Sequence, residues 1–189
     1  MFKETKPPEK EELYFPYLQE LRGIFDRCYV AESYVYAKDG RQIAPSDGIT
    51  NPHLEITAQG NFSEKLQNNF EYYLFKALSA EKFKPDIMGF VQKKPSSKKE
   101  FITVEVKLGA ISIKDVLQAK AYADIFNAKF SFVISPEGIP PEKLKIILQY
   151  NNALRGNVIP ASCLPESSPF RINPLLAKFV PEPFPMFCK

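Results

Sequence analysis

The apolar positions of this chain fall into two periods, and they predict an alternation of helices and strands. Leu18, Leu21, Phe25 and Cys28 recur at helical spacing behind Pro16, so a first helix is predicted over residues 16–27. The Val- and Tyr-rich stretch 29–37 reads as a strand. The Asp39-Gly40 pair is a hairpin turn signal, so residues 41–44 return antiparallel. Residues 45–52 read as loop and 53–58 as a third short strand. Over 61–80 the apolar set Leu66, Phe70, Tyr73, Leu74, Ala77 and Leu78 forms one helical face, with Asn61 or Ser63 as its cap.

Two strands, 86–92 and 101–107, then flank a polar tip and predict a long β-hairpin. Gly109 ends the second strand, and Ser112 with Asp115 three residues on opens a helix over 112–127 as a weak capping box. The apolar run 130–135 reads as a buried strand, 140–149 as a helix opened by two prolines, and Val158-Ile159 as a last strand. From Pro160 onward prolines are mixed with Phe and Leu, which predicts an extended arm docked on its own domain or on a second copy. The organisation is therefore a solvated leader at 1–12, one domain at 13–159 and the arm at 160–189.

The second hairpin strand carries the chemistry. With period two, Ile102, Val104 and Val106 face one side, and Thr103, Glu105 and Lys107 the other. A hairpin sets the start of its first strand beside the end of its second, so Asp86 lands close to Glu105 and Lys107. Two carboxylates at that range are expected to share a hard divalent cation, Mg²⁺ or Mn²⁺, which takes oxygen ligands and keeps several waters. The backbone carbonyl of Val106 is a candidate further ligand, and Lys107 can orient or deprotonate a bound water or stabilise developing negative charge.

Composition narrows the rest. The 189 residues are 44% hydrophobic and carry a formal net charge of +3, so a single folded domain is expected and nucleic-acid binding is allowed but not demanded. The one histidine, His53, excludes a His-rich zinc site, and 8 scattered glycines offer no phosphate loop. The three cysteines (Cys28, Cys163 and Cys188) lack metal-finger spacing and form no disulfide framework. No run approaches the ~20 apolar residues of a membrane span, and the charged start lacks a signal peptide's apolar core. A cytoplasmic, intracellular location without membrane association is the expectation.

Pro85-Asp86 followed by Glu105-Val106-Lys107 resembles the PD-(D/E)xK, or restriction-endonuclease-like, nuclease superfamily. In the following helix Gln118-Ala119-Lys120-Ala121-Tyr122 resembles the QxxxY motif of its RecB-type branch, and archaeal Holliday-junction resolvases share the short core. The resemblance covers about residues 61–135. It implies an α/β (α+β) fold with an αβββαβ core: a mixed central sheet flanked by helices, here with an N-terminal helix and hairpin elaboration. Only residues 80–84 separate the long helix from the motif, so one core strand is expected from residues 29–58.

The implied function is Mg²⁺- or Mn²⁺-dependent hydrolysis of phosphodiester bonds, most readily in DNA, with endo- or exonuclease action open. Asp86 and Glu105 would bind the metal, Lys107 act on the water, and Gln118 with Tyr122 steady the site. A helix acid is also implied: Glu71 is preferred, Glu64 is the alternative seven residues away, and Glu20 a weaker third. Lys93, Lys94, Lys98 and Lys99 crowd the hairpin tip, where they either grip phosphates or decorate a solvated turn. The arm would allow a homodimer. A non-catalytic nucleic-acid-binding or assembly subunit on the same fold is the alternative.

Overall fold

The computed structural model describes residues 10–33, 35–36, 42–43, 50–67, 80, 83–92, 98–150, 154, 157–165 and 167–181. They form an α/β fold around a six-stranded mixed sheet flanked by helices. Helix α1 (Lys10–Ser33) leads to a two-stranded hairpin, β1 (Val35–Tyr36) and β2 (Gln42–Ile43). The main sheet has the order β3 (Thr50–Ile56), β4 (Ile87–Gln92), β5 (Glu100–Val106), β6 (Ala128–Ser135), β7 (Val158–Leu164) and β8 (Ser168–Ile172). Helix α2 (Glu64–Gln67) lies between β3 and β4, α3 (Ile113–Ile125) between β5 and β6, and α4 (Pro141–Gln149) between β6 and β7. Strands β5, β6 and β7 run parallel through these helical crossovers, and the remaining neighbours are antiparallel.

Several boundaries differ from the sequence reading. Helix α1 starts at Lys10, inside the stretch read as a leader, and Pro16 lies within it. An interior proline removes a helical hydrogen bond and costs ~3 kcal/mol, but the flanking Tyr14, Tyr17, Leu18 and Leu21 are buried and offset it. The same helix runs on to Ser33, through the stretch read as a strand. Strand preference spans only ~1 kcal/mol, whereas extending a formed helix adds a hydrogen bond for each residue. Among the described residues, the strands either side of Asp39-Gly40 pair as Val35↔Ile43 and Tyr36↔Gln42.

The strand that precedes Asp86 in the sheet is β3, within residues 29–58. It pairs antiparallel with β4, Leu54 opposite Gly89. Gly89 is required there: a Cβ would lie 1.8 Å from the His53 carbonyl oxygen. The predicted helix over 61–80 is represented by α2 and by the helical Ala80, and its cap is Ser63, whose Oγ accepts from the Leu66 N–H at 3.3 Å.

Helix α3 begins as expected. Ser112 and Asp115 form a complete capping box, and Asn127 at φ 46° ends the helix in the left-handed region. The C-terminal stretch is not separate from the domain. Strand β7 continues through Pro160 to Leu164, and β8 closes the sheet edge. Pro160 lies one step beyond the last β7–β8 pair, Ala161↔Ile172, so its missing N–H breaks no bond in that ladder. A 3₁₀ helix, Pro174–Phe179, follows, and Cys163, Ile172, Leu176 and Val180 join the main core.

The sheet has two faces. Phe130 and Phe132 meet Phe25 of α1 at ring distances of 5.3 and 6.0 Å, and the register aligns Ile102, Val104 and Val106 with Phe130, Phe132 and Ile134 on that face. The other face is covered by α3. There the Thr103 hydroxyl donates to Ser131 Oγ at 2.8 Å, and Ser131 donates to the Ala119 carbonyl at 2.8 Å. A smaller apolar cluster of Leu66, Met88, Phe90, Tyr122 and Phe126 completes it. The period-two reading of β5 holds, but both faces are buried, as the parallel β5–β6 pairing requires.

Candidate active site

Asp86 is held by its backbone before its side chain acts. The Thr57 and Ala58 N–H groups donate to its carbonyl at 2.8 and 3.1 Å, and its own N–H donates to the Val104 carbonyl at 2.9 Å. The Thr57 hydroxyl donates to the Pro85 carbonyl at 2.7 Å, which fixes the turn into β4. These bonds set Asp86 one step beyond the Ile87↔Val104 pair, alongside Glu105. Its Oδ2 accepts the Val106 N–H at 2.8 Å. A strand residue's N–H and C=O share one edge, so the Val106 carbonyl is directed to the same side.

Glu105 is the centre of the cluster. Its side chain is 8% exposed, and Oε1 accepts from Lys107 Nζ at 2.8 Å and from Gln118 Nε2 at 3.1 Å. Its Oε2 is buried without a hydrogen-bond partner among the described residues. Such an orphaned carboxylate oxygen costs free energy unless a cation or proton joins it. Burial, and then the neighbouring Asp86 carboxylate, push the Glu105 carboxyl up to about 7 against the pull of Lys107.

Lys107 bridges two acids. Its Nζ lies 2.8 Å from Glu105 Oε1 and 3.2 Å from Asp115 Oδ1. Burial pulls its pKa down, but the hydrogen bonds and charges of Glu105 and Asp115 outweigh that and raise it. Asp115 also accepts from the Ser112 N–H and hydroxyl at 2.8 and 2.6 Å. Burial raises the Asp115 carboxyl, and the Ser112 bonds and Lys107 together bring it below its ordinary value.

Gln118 and Tyr122 sit one turn apart on the buried face of α3. Gln118 Nε2 donates to Tyr122 Oη at 2.8 Å, and the Tyr122 hydroxyl donates to the Lys84 carbonyl at 2.9 Å. This chain runs from the start of β4 through α3 to the Glu105 carboxylate. Tyr122 is fully buried, and its hydroxyl is hydrogen-bonded within the cluster. Burial, and then the charge of Glu105, raise the Tyr122 phenol.

Asp86, Glu105, Val106, Lys107, Gln118 and Tyr122 thus meet in one place. Two further members escaped the sequence reading. Asp115 was visible only as a capping residue, although its place in the first turn after the strand brought it within a lysine's reach. Tyr14 of α1 hydrogen-bonds the Asp86 carboxylate, and burial followed by that charge raises its pKa. No sequence signal marked Tyr14, which preceded the expected helix start.

Glu71, Lys93 and Lys94 lie outside the described residues. Glu64 is exposed in the first turn of α2. Glu20 acts on Cys163 of β7, where burial and then that carboxylate raise the thiol to about 11. Lys98 is exposed, and Lys99 Nζ lies 4.8 Å from the centre of the Phe90 ring. Both are at the far end of the hairpin, roughly 20 Å along β4 from Asp86 at ~3.4 Å per residue. His53 serves a local cluster, with Nε2 3.3 Å from Glu55 Oε1 and 3.4 Å from Ser63 Oγ.

Among the described residues no group of three His, Cys, Asp or Glu side chains is arranged to hold a metal ion. The carboxylate pair with its unpartnered Oε2 still suits a hard cation that takes one or two carboxylates and keeps its waters. Among the described residues no helix is long and apolar enough to cross a membrane. Comparison with known proteins finds no matching family model, no matching curated protein and no matching solved structure.

Proposed function

We propose that this chain is a metal-dependent nuclease of the PD-(D/E)xK type, hydrolysing phosphodiester bonds, most readily in DNA. The observation that carries the reading is the single hydrogen-bonded cluster of Asp86, Glu105, Lys107 and Gln118, with one Glu105 oxygen left open. The element order α1–β3–β4–β5–α3–β6 is compatible with the αβββαβ core that the resemblance implies.

Asp86, Glu105 and the Val106 carbonyl would hold Mg²⁺ or Mn²⁺. Such an ion supplies a Lewis acid that polarises a phosphoryl oxygen and lowers the pKa of bound water. Lys107, with its pKa raised by two acids, stays protonated at neutral pH. It therefore orients the water and offsets developing negative charge, and does not serve as the base. Gln118 fixes the Glu105 carboxylate, and Tyr14 fixes Asp86.

The test is incubation of the full chain with single-stranded, duplex and branched DNA, and with RNA, with and without Mg²⁺ or Mn²⁺. Cleavage is expected only with the ion, and is expected to fall to background in Asp86→Ala and in Glu105→Ala. Full activity in excess EDTA, or in either variant, refutes the mechanism. Cleavage absent under every condition, with nucleic acid still bound, would favour the non-catalytic alternative.

A further inference from the structure

The edge of the sheet that carries the acid cluster continues into a row of polar side chains. The Lys107 N–H donates to the Ile134 carbonyl at 2.8 Å, which sets Lys107 beside Ser135 on β6. Ser135 stands opposite Ser162 of β7, and Ser162 opposite Arg171 of β8. Residues opposite one another across a sheet face the same side, so Lys107, Ser135, Ser162 and Arg171 form one row. Three inter-strand steps of ~4.8 Å separate the Lys107 and Arg171 backbones by roughly 14 Å.

A cavity of about 310 Å³ lies at the Arg171 end, with Glu137, Gly138, Pro160, Ser162, Arg171 and Asn173 in its wall. It lies just past the C-terminal end of β6, at Glu137 and Gly138, and beside Pro160, Ala161 and Ser162 within β7. Arg171 is exposed and makes no hydrogen bond or ion pair among the described residues. Glu137 is exposed too, and does not pair with Arg171 across the cavity they share. A Cβ built on Gly109 would lie 3.9 Å from Glu137 Oε1, so this carboxylate borders the cavity on the Lys107 side.

We propose that this cavity is a subsite for a backbone phosphate of the substrate strand, a few nucleotides from the bond that is cut. Arg171 is its cation, and Glu137 is the repelling wall that confines the anion to the Arg171 side. The identity of the substrate rests on the nuclease reading above. A guanidinium suits this task because its fixed fork of donors matches phosphate oxygens two at a time.

The test uses the full chain and fluorescence anisotropy of labelled single-stranded and duplex DNA, in EDTA across a salt series. Arg171→Ala is expected to weaken binding roughly 5- to 10-fold at low salt and to reduce the salt slope by about one. Arg171→Glu should weaken it further, and Glu137→Gln should tighten it. Oligonucleotides with one neutral methylphosphonate linkage, moved along the strand, should cancel the Arg171→Ala penalty at a single linkage away from the cut. Unchanged affinity and slope in both Arg171 variants, or a penalty indifferent to the neutral linkage, overturns the subsite. Cleavage by the wild type together with that result overturns the subsite alone. An Arg171-dependent phosphate contact without cleavage in Mg²⁺ or Mn²⁺ supports the subsite and sinks the nuclease reading. No DNA binding by the wild type sinks both.

Discussion

Glu105 holds its neighbours together, yet its Oε2 is buried without a hydrogen-bond partner among the described residues. Its carboxyl titrates near 4.5 when exposed and near 7 in the folded chain. Between those values the folded state holds more protons, so this group's contribution to stability falls as pH rises from about 4.5 to 7. Glu105→Gln removes that loss. In EDTA the variant is expected to gain roughly 1–3 kcal/mol over the wild type at pH 8 and nothing at pH 4. Chemical denaturation at the two pH values measures it, and a variant less stable at pH 8 would contradict the assignment. Lys107→Ala separates roles in the same cluster. It should abolish cleavage while leaving Mn²⁺ binding largely intact by calorimetry, because the lysine serves the water and not the ion. Gln118→Ala, which frees the carboxylate to turn, should cost a milder loss of roughly 10–100-fold. The sequence exposed Asp86, Glu105, Lys107, Gln118 and Tyr122 because short spacings along one hairpin and one helix turn bring them together. Tyr14 reaches the site from a distant helix, and no local spacing encodes such a contact.

At the scale of elements, legibility follows how local the causes are. Helix α3 was readable because its cap, its stripe and its end are all written within its own residues: Ser112 and Asp115, then Val116, Ala119, Tyr122 and Ala123, then Asn127. Strand β5 was readable for the same reason. Helix α1 was not, because its interior proline is offset by tertiary burial that no local pattern encodes, and its β-prone end continues a helix already formed. Strand β3 was misread by a few residues, although its pairing with β4 builds the floor beneath Asp86. Gly89 makes that pairing testable. Gly89→Ala drives a methyl into the His53 carbonyl, so β3 and β4 must part or shift. The expected result is a destabilisation of about 1–3 kcal/mol, as for other overpacked interior sites. Because Thr57 and Ala58 clamp Asp86 from the end of β3, activity should fall more than stability alone explains. Hydrogen exchange should show the β3–β4 amides losing protection first. Unchanged protection there would show that the close approach is not binding on the strand pair.

For the molecule as a whole, the decisive segment is the one after Ile159. A Pro- and Phe-rich composition reads as an appendage, yet residues 160–172 complete the sheet, and Leu176 and Val180 seal its core. Sheet completion is a long-range event: β8 finds β7 through an antiparallel register that local pattern does not specify. Truncation after Ile159 would strip most of β7 and all of β8, and bare the β6 edge. It would also remove the burial of Cys163, Ile172, Leu176 and Val180, each apolar side chain contributing ~1.5–3 kcal/mol. The sum approaches the ~5–15 kcal/mol that holds an entire domain folded. The truncated chain should therefore aggregate, or lack a cooperative melt, at any protein concentration. A milder probe keeps the argument open to refutation: Leu176→Ala should cost about 2–5 kcal/mol by creating a cavity. That loss should not depend on protein concentration if the segment acts within its own domain. A melting temperature that rises with concentration in the wild type, and no longer does so in Leu176→Ala, would instead assign the segment to contacts between two copies. Sedimentation of both proteins over the same concentration range decides between these outcomes.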